Sequence, residues 1–120
     1  MDYKTNIQEL KNRIKEFCEA RDWDQFHGAK ELAIGVITES SELLEHFRLK
    51  SEKEIENFFK DNKKKDEISE EMADVLYFVL RLAQKYDIDL STALNKKMDK
   101  NEKRYPMEKT KGSSKKYNEL

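Results

Sequence analysis

The chain has few residues that interrupt helices. Its 120 residues include only three glycines and one proline, and no run of alternating β-branched residues stands out. Because glycine and proline are the strongest local breakers of regular structure, their scarcity argues against a chain of many short elements joined by turns. The sequence therefore predicts an all-α fold, a bundle of about five helices.

Three further absences limit the class of protein. The single cysteine, Cys18, excludes an intrachain disulfide and fits a reducing compartment. The N-terminal residues MDYKTNIQEL contain no apolar signal core, and no apolar run approaches the ~20 residues that span a bilayer. The chain has 24 Lys and Arg against 25 Asp and Glu, and this balance argues against steering toward DNA. We expect a cytoplasmic protein whose partners include neither a membrane nor a nucleic-acid polymer.

Charged side chains are abundant. They make up 41% of the residues, against 37% for hydrophobic ones, in a chain long enough for one modest core. Such a chain buries little apolar surface alone, so we expect a homo-oligomer. We also expect one domain over residues 1–111, followed by a polar, basic tail over residues 112–120.

Apolar residues recur at helical spacing in five segments. The predicted elements are a first helix with a Thr5–Gln8 capping box, a connector RDWDQFHG (21–28), a second helix from about Ala29 to Arg48, a short helix with a Ser51–Glu54 capping box, a solvated loop KDNKKKDE (60–67), a fourth helix from about Glu67 to Tyr86, and a fifth from about Asp89 toward Tyr105. The second and fourth helices carry the residues of most interest.

Each of these two helices carries an acid pair at a spacing of three residues. The pairs are Glu39 with Glu42, and Glu71 with Asp74. At about 100° per residue, the first acid of each pair lies about 85–90° from the centre of its apolar face, and the second lies about 145–150° away on the same side. If the two helices pack antiparallel, their four carboxylates can converge on one spot.

Four converging carboxylates repel one another and lose solvation, so they favour a bound cation. All-oxygen ligands suit Mg²⁺ or Mn²⁺, and Mg²⁺ commonly binds substrate phosphates as well. The alternative is that the acids are solvated helix faces, which are common in a chain this charged. His46 lies near the side that carries Glu39 and is either a contact of the site or a boundary residue. Glu45 falls opposite the core and is expected at the surface.

The segments ITESSELLEHF (37–47) and EISEEMADVLYFVL (67–80) resemble the MazG-like all-α nucleoside triphosphate pyrophosphohydrolases. The pattern of that family is E-x-x-E, a spacer, and E-x-x-D, and the four acids match it position for position. The segments RDWDQFH (21–27), KKMDKNEKRYP (96–106) and SSKKYNEL (113–120) resemble the branch that contains dCTP pyrophosphatase. The resemblance covers residues 13–120.

This resemblance implies Mg²⁺-dependent cleavage of a nucleoside triphosphate between the α- and β-phosphates, giving a monophosphate and pyrophosphate. It implies removal of non-canonical or excess nucleotides, and dimers or dimers of dimers in which two chains complete the core and each active site. The catalytic and metal-binding residues that it implies are Glu39, Glu42, Glu71 and Asp74. The substrate-binding residues that it implies are Trp23, His27, Phe78, Lys97, Asn101, Arg104 and Tyr105.

The sequence departs from the family pattern at three positions. Ser41 stands where a glycine is frequent, Leu49 where the dCTP branch has a tryptophan, and Phe78 where it has a tyrosine. The last two positions contact or border the base in that branch, so the resemblance implies dCTP or a related pyrimidine deoxynucleotide with weaker discrimination. Two alternatives stay open. One is a non-catalytic helical adaptor. The other is a di-metal carboxylate bundle, which needs Glu-x-x-His on two helices, whereas the acids here are followed by Glu or Asp.

Overall fold

The computed structural model describes all 120 residues and contains six α-helices and no strand. The helices are α1 (Ile7–Ala20), α2 (Ala29–Glu45), α3 (Glu52–Phe58), α4 (Asn62–Lys85), α5 (Leu90–Arg104) and α6 (Met107–Thr110). Short 3-10 turns cover Asp24–Phe26 and Tyr117–Glu119. The prediction of an all-α helical fold is confirmed. None of the helices combines the length and the apolar composition that a bilayer crossing requires.

The chain divides into two compact units, Met1–Asp87 and Ile88–Leu120. In the first unit, α4 packs against α1, α2 and α3. The residues that form its core are Cys18, Leu32, Ile68, Leu80 and Ala83. Because α4 touches every other helix of this unit, it is the element that positions the site.

Helices α2 and α4 run antiparallel and approach closely. Gly35, early in α2, lies so near the Phe78 ring that a Cβ atom at this position would overlap the ring. Near the other end of α2, His46 contacts Lys64 in the first turns of α4. The small residue at position 35 therefore allows the two acid-bearing helices to come together.

The start of α1 differs from the prediction. The N-cap is Asn6, whose side chain accepts a hydrogen bond from the backbone N–H of Glu9 at 2.8 Å. The predicted capping box of Thr5 and Gln8 was therefore wrong, because asparagine caps helices more strongly than threonine and lies one residue further on. At α3 the Ser51 half of the predicted capping box is present: the Ser51 hydroxyl accepts from the Glu54 N–H at 3.2 Å.

The start of α4 is a second correction. The helix begins at Asn62, so most of the segment 60–67 is helical rather than a solvated loop. The Asp61 carboxylate accepts hydrogen bonds from the backbone N–H groups of Lys63 and Lys64, and this cap nucleates the helix. Lysine itself favours helices, and the Lys64 ammonium lies 4.9 Å from the centre of the Phe58 ring. The charge run therefore starts a helix.

The end of α2 is also shorter than predicted. The helix ends at Glu45 and is followed by a turn, rather than continuing to Arg48. Leu49, just beyond, has a positive φ of 61°, a conformation that costs a branched residue about 1–2 kcal/mol. The turn that follows α2 therefore leads to a residue, Leu49, that is poorly suited to its backbone conformation.

The second unit contains α5, α6 and the C-terminal segment. Asp89 caps α5 by accepting a hydrogen bond from the Thr92 N–H at 2.8 Å. The sequence did not predict α6, which begins directly after Pro106. In the segment 112–120, the Tyr117 ring meets Tyr105 edge-on at 6.2 Å and lies under the Arg104 guanidinium at 4.6 Å. These contacts connect the predicted tail to the end of α5.

Candidate active site

The acid pairs of α2 and α4 meet in one cluster. One carboxylate oxygen from each of Glu39, Glu42 and Glu71 lies within 4.8 Å of the others. Asp74 is outside this closest group, although its charge acts on Glu39. The antiparallel packing therefore brings three of the predicted ligands together and leaves the fourth beside them.

The cluster perturbs the acidity of Glu39. Its pKa is raised to about 7, first by a hydrogen bond with the Glu42 carboxyl and then by burial. The negative charges of Glu42, Asp74 and Glu71 raise it further. Without a cation, Glu39 therefore holds a proton over much of the range below neutral pH.

Two carboxylate oxygens in the cluster have no hydrogen-bond partner. Glu39 Oε2 and Glu71 Oε2 are both buried and unsatisfied. Buried polar atoms are normally paired, because an unpaired one carries the full cost of desolvation. A divalent cation with a preference for oxygen ligands fits this donor set. Solvated helix faces do not bury carboxylate oxygens, so the alternative of merely solvating acids fits the cluster less well.

The connector between α1 and α2 forms an aromatic group at one side of α4. Trp23 meets Phe17 edge-on at 5.4 Å and His27 at 6.0 Å. The Lys85 ammonium donates hydrogen bonds to the backbone carbonyls of Asp24 and His27, each at 2.6 Å. The end of α4 therefore fixes the backbone of the segment that carries Trp23 and His27.

Arg81 holds the side chains of the same segment. Its almost fully buried guanidinium pairs with Asp24 and donates from Nε to His27 Nδ1 at 3.1 Å. The hydrogen bond that the Asp24 carboxylate accepts from Arg81 is the first cause that lowers the pKa of Asp24. The sequence did not single out Arg81 or Lys85. One basic residue inside the apolar run VLRLA was the only signal, and its partner Asp24 lies too far along the chain to be identified by spacing.

The contact with Arg81 also defines the state of His27. Burial, followed by the charges of Arg81 and Lys85, lowers the pKa of His27, while Asp24 opposes the shift. The ring is therefore neutral at pH 7. Because a guanidinium can only donate, Nδ1 is the acceptor and Nε2 carries the proton. His27 thus presents a single N–H donor.

The remaining predicted residues have varied surroundings. The Phe78 ring packs on Gly35 and meets Tyr77 edge-on at 5.0 Å. The Leu49 side chain is 91% exposed. The other four predicted substrate residues, Lys97, Asn101, Arg104 and Tyr105, belong to the second unit, where Arg104 covers the Tyr117 ring.

A sequence model described as the MazG-like family matches residues 35–120, which include both acid pairs. The chain belongs to the MazG-like family. It is 35% identical over 114 residues to dCTP pyrophosphatase 1 of Rattus norvegicus, covering 95% of this chain and 67% of the relative. The human protein of the same name is 34% identical over the same coverage.

A solved pyrophosphatase structure is similar to this chain in both fold and sequence. The crystal structure of a pyrophosphatase from Archaeoglobus fulgidus is 37% identical in sequence and superimposes with a TM-score of 0.77. The match covers 83% of this chain and 92% of the archaeal one. The predicted branch of the MazG-like family is confirmed, and so is the predicted enzyme class, a nucleotide pyrophosphohydrolase.

The raised pKa of Glu39 predicts how the stability of this MazG-like protein depends on pH. The folded state binds a proton with a pKa of about 7 and the unfolded state with one near 4.5. The resulting stabilisation is complete below the lower value and is lost as pH rises through the higher one. In EDTA, the Tm difference between Glu39→Gln and wild type should therefore widen between about pH 5 and pH 8. A difference that stays constant over this range would show that the cluster does not perturb Glu39.

Proposed function

We propose that this protein hydrolyses dCTP or related pyrimidine deoxynucleotides, including non-canonical ones, to a monophosphate and pyrophosphate with Mg²⁺ or Mn²⁺. The observation that carries the proposal is the acid cluster, in which three carboxylates converge and two buried oxygens lack partners. The relatives named dCTP pyrophosphatase 1 support the choice of nucleotide. Such an activity in the cytoplasm would clean the nucleotide pool.

The four acids have the role of ligands in this proposal. Glu39 and Glu42 present carboxylates from α2, and Glu71 and Asp74 present them from α4, so the cation is held between two packed helices. When bound, a divalent cation neutralises phosphate charge and promotes ionisation of water. The carboxylates then exchange their mutual repulsion for attraction to that cation.

Residues of the connector are proposed to bind the nucleotide. Trp23 offers an aromatic face for stacking, and His27 offers its Nε2–H as a donor. Arg81 and Lys85 hold the His27 ring and the backbone that follows Trp23. Phe78 is proposed as a neighbour of the base. For Lys97, Asn101, Arg104 and Tyr105 the support is the resemblance alone. A domain spanning residues 1–111 is proposed from the length and composition of the chain.

A homodimer, or a dimer of dimers, is part of the proposal because one face of the first unit is apolar and open. Met72 is 57% exposed and Leu76 is 45% exposed. They line a groove with Leu43, Val75 and Val79, between α2 and α4. Burying this face in a second copy would remove apolar surface from water, at about 25 cal/mol per Å².

Light scattering at micromolar concentration should therefore return at least twice the 14.3 kDa mass of one chain. Met72→Glu should reduce that mass, because a charge in the interface is costly to bury. Met107→Glu, which alters a methionine outside this groove, should leave the mass unchanged. A monomeric wild type would contradict the proposed assembly.

Phosphorus NMR of dCTP turnover tests the proposed chemistry. We expect dCMP and pyrophosphate in equal amounts with Mg²⁺, and no turnover in EDTA. The appearance of dCDP and inorganic phosphate, or turnover that resists EDTA, would contradict the proposal. An adaptor would give no turnover under any of these conditions.

A further inference from the structure

A second group of polar residues, His46 and Lys64, lies next to Glu71 of the acid cluster. His46, just after α2, places its Nδ1 atom 2.9 Å from the Lys64 ammonium. Its Nε2 atom lies 3.6 Å from Glu71 Oε1. The imidazole thus stands between a lysine and one of the proposed ligands, with its side chain only 16% exposed.

The lysine determines which nitrogen of His46 carries the proton. An ammonium has three donors and no acceptor, so Nδ1 must accept. The neutral ring then carries its hydrogen on Nε2, which faces Glu71. At 3.6 Å this contact is electrostatic rather than a full hydrogen bond, but its sign is attractive.

Lys64 is itself held in place. Its ammonium lies 4.9 Å from the centre of the Phe58 ring and 3.8 Å from Glu67 Oε2. These contacts come from α3 and from the next turn of α4, so the lysine is supported on two sides. The support makes the lysine a fixed donor for the histidine.

The two oxygens of Glu71 have different surroundings. Oε1 faces His46, while Oε2 is buried and has no partner. We propose that the Lys64–His46 pair is a positioning device that holds Glu71 by one oxygen and leaves the other available to the cation. The proposal rests on the proposed function of the acid cluster. Groups that orient a ligand in this way commonly change metal affinity by about 10–100-fold when they are removed.

Removing the positive charge of Lys64 should weaken cation binding, which is the opposite of the effect expected from charge alone. Removing a positive charge near an acid cluster should tighten cation binding if only long-range electrostatics act. If Lys64 and His46 position Glu71, their removal should weaken it instead. Lys63 is an exposed neighbour on the same turn, and the His46 ring bonds Lys64 instead, so Lys63 provides a matched control for charge.

The test is binding of Mn²⁺ to the full chain without nucleotide, measured by the electron paramagnetic resonance signal of free Mn²⁺. We expect His46→Leu to raise the Kd about tenfold. His46→Gln should stay near wild type, because its side-chain amide can accept from Lys64 and donate to Glu71. Lys64→Met should weaken binding, and Lys63→Met should leave it unchanged or tighten it. The two lysine variants stay informative if His46→Leu folds poorly.

Several outcomes would overturn the proposal. One is that His46→Leu binds Mn²⁺ with a Kd equal to or lower than that of wild type, while Glu71→Gln binds weakly. That result would support the metal site and contradict only the positioning role of His46. Equal effects of Lys64→Met and Lys63→Met would do the same. Absence of saturable Mn²⁺ binding by wild type would instead remove the metal site, and the positioning role with it.

Discussion

Glu71→Gln and Glu39→Gln should each yield a folded protein that has lost metal-dependent hydrolysis. Each substitution replaces a charged oxygen ligand with a neutral amide at the centre of the cluster. Loss of the cation removes several kcal/mol of transition-state stabilisation, so we expect kcat/KM to fall by roughly three orders of magnitude at ~1.4 kcal/mol per tenfold. Without metal, both variants should melt at or above the wild-type Tm at neutral pH, because a like charge has been removed.

The chain provides a matched control for this experiment. Glu45 belongs to the same helix, lies three residues from Glu42 and forms an exposed ion pair with Arg48 at 3.6 Å. Exposed pairs contribute about 0–1 kcal/mol, so Glu45→Gln should change neither kcat/KM nor the Tm appreciably. Wild-type turnover in Glu39→Gln or Glu71→Gln would contradict the carboxylate site.

A panel of dCTP, dTTP, dUTP, dATP and dGTP should show the highest kcat/KM for dCTP. An aromatic face such as that of Trp23 stacks on any base, so the choice among bases depends on hydrogen bonds. The fixed Nε2–H of His27 is one donor that can contribute. Phe78 lacks the hydroxyl of the tyrosine it replaces, so we expect weaker discrimination than in the dCTP branch. A purine preferred by about tenfold or more would show that the base pocket differs.

Leu49→Trp tests the same pocket from the other side. Position 49 carries a highly exposed side chain at a positive φ, so the new ring would displace no packing within the chain. An added aromatic–base stack contributes about 1–3 kcal/mol, which corresponds to a rise of roughly 5- to 150-fold in affinity for the preferred base. Unchanged ratios across the nucleotide panel would show that residue 49 does not reach the base.

The all-α fold could be predicted from the sequence because the apolar residues of the helices recur at helical spacing. The apolar stripes of α2 and α4 place Glu39 and Glu71 on corresponding sides of their helices. Antiparallel packing of the two helices then brings these carboxylates together. The start of α4 was missed because a lysine run resembles a solvated loop, while the decisive feature was the Asp61 cap. The charge composition of a segment does not show whether one of its residues caps a helix.

The parts of the site that the sequence did not predict depend on long-range contacts. Arg81 binds Asp24 and His27 across 57 and 54 residues, and no local pattern relates these positions. His46 was left open as a contact or a boundary residue, and its distance to Glu71 depends on how α2 ends. Such contacts follow from tertiary packing, which determines which polar side chains become buried together.

Anomalous diffraction from crystals grown with Mn²⁺ tests the central claim most directly. The claim is that α2 and α4 together hold a divalent cation. We expect an anomalous peak between Glu39, Glu42 and Glu71, with the Oε2 atoms of Glu39 and Glu71 as ligands. Crystals that contain Mn²⁺ at other sites but show no peak among these carboxylates would contradict it.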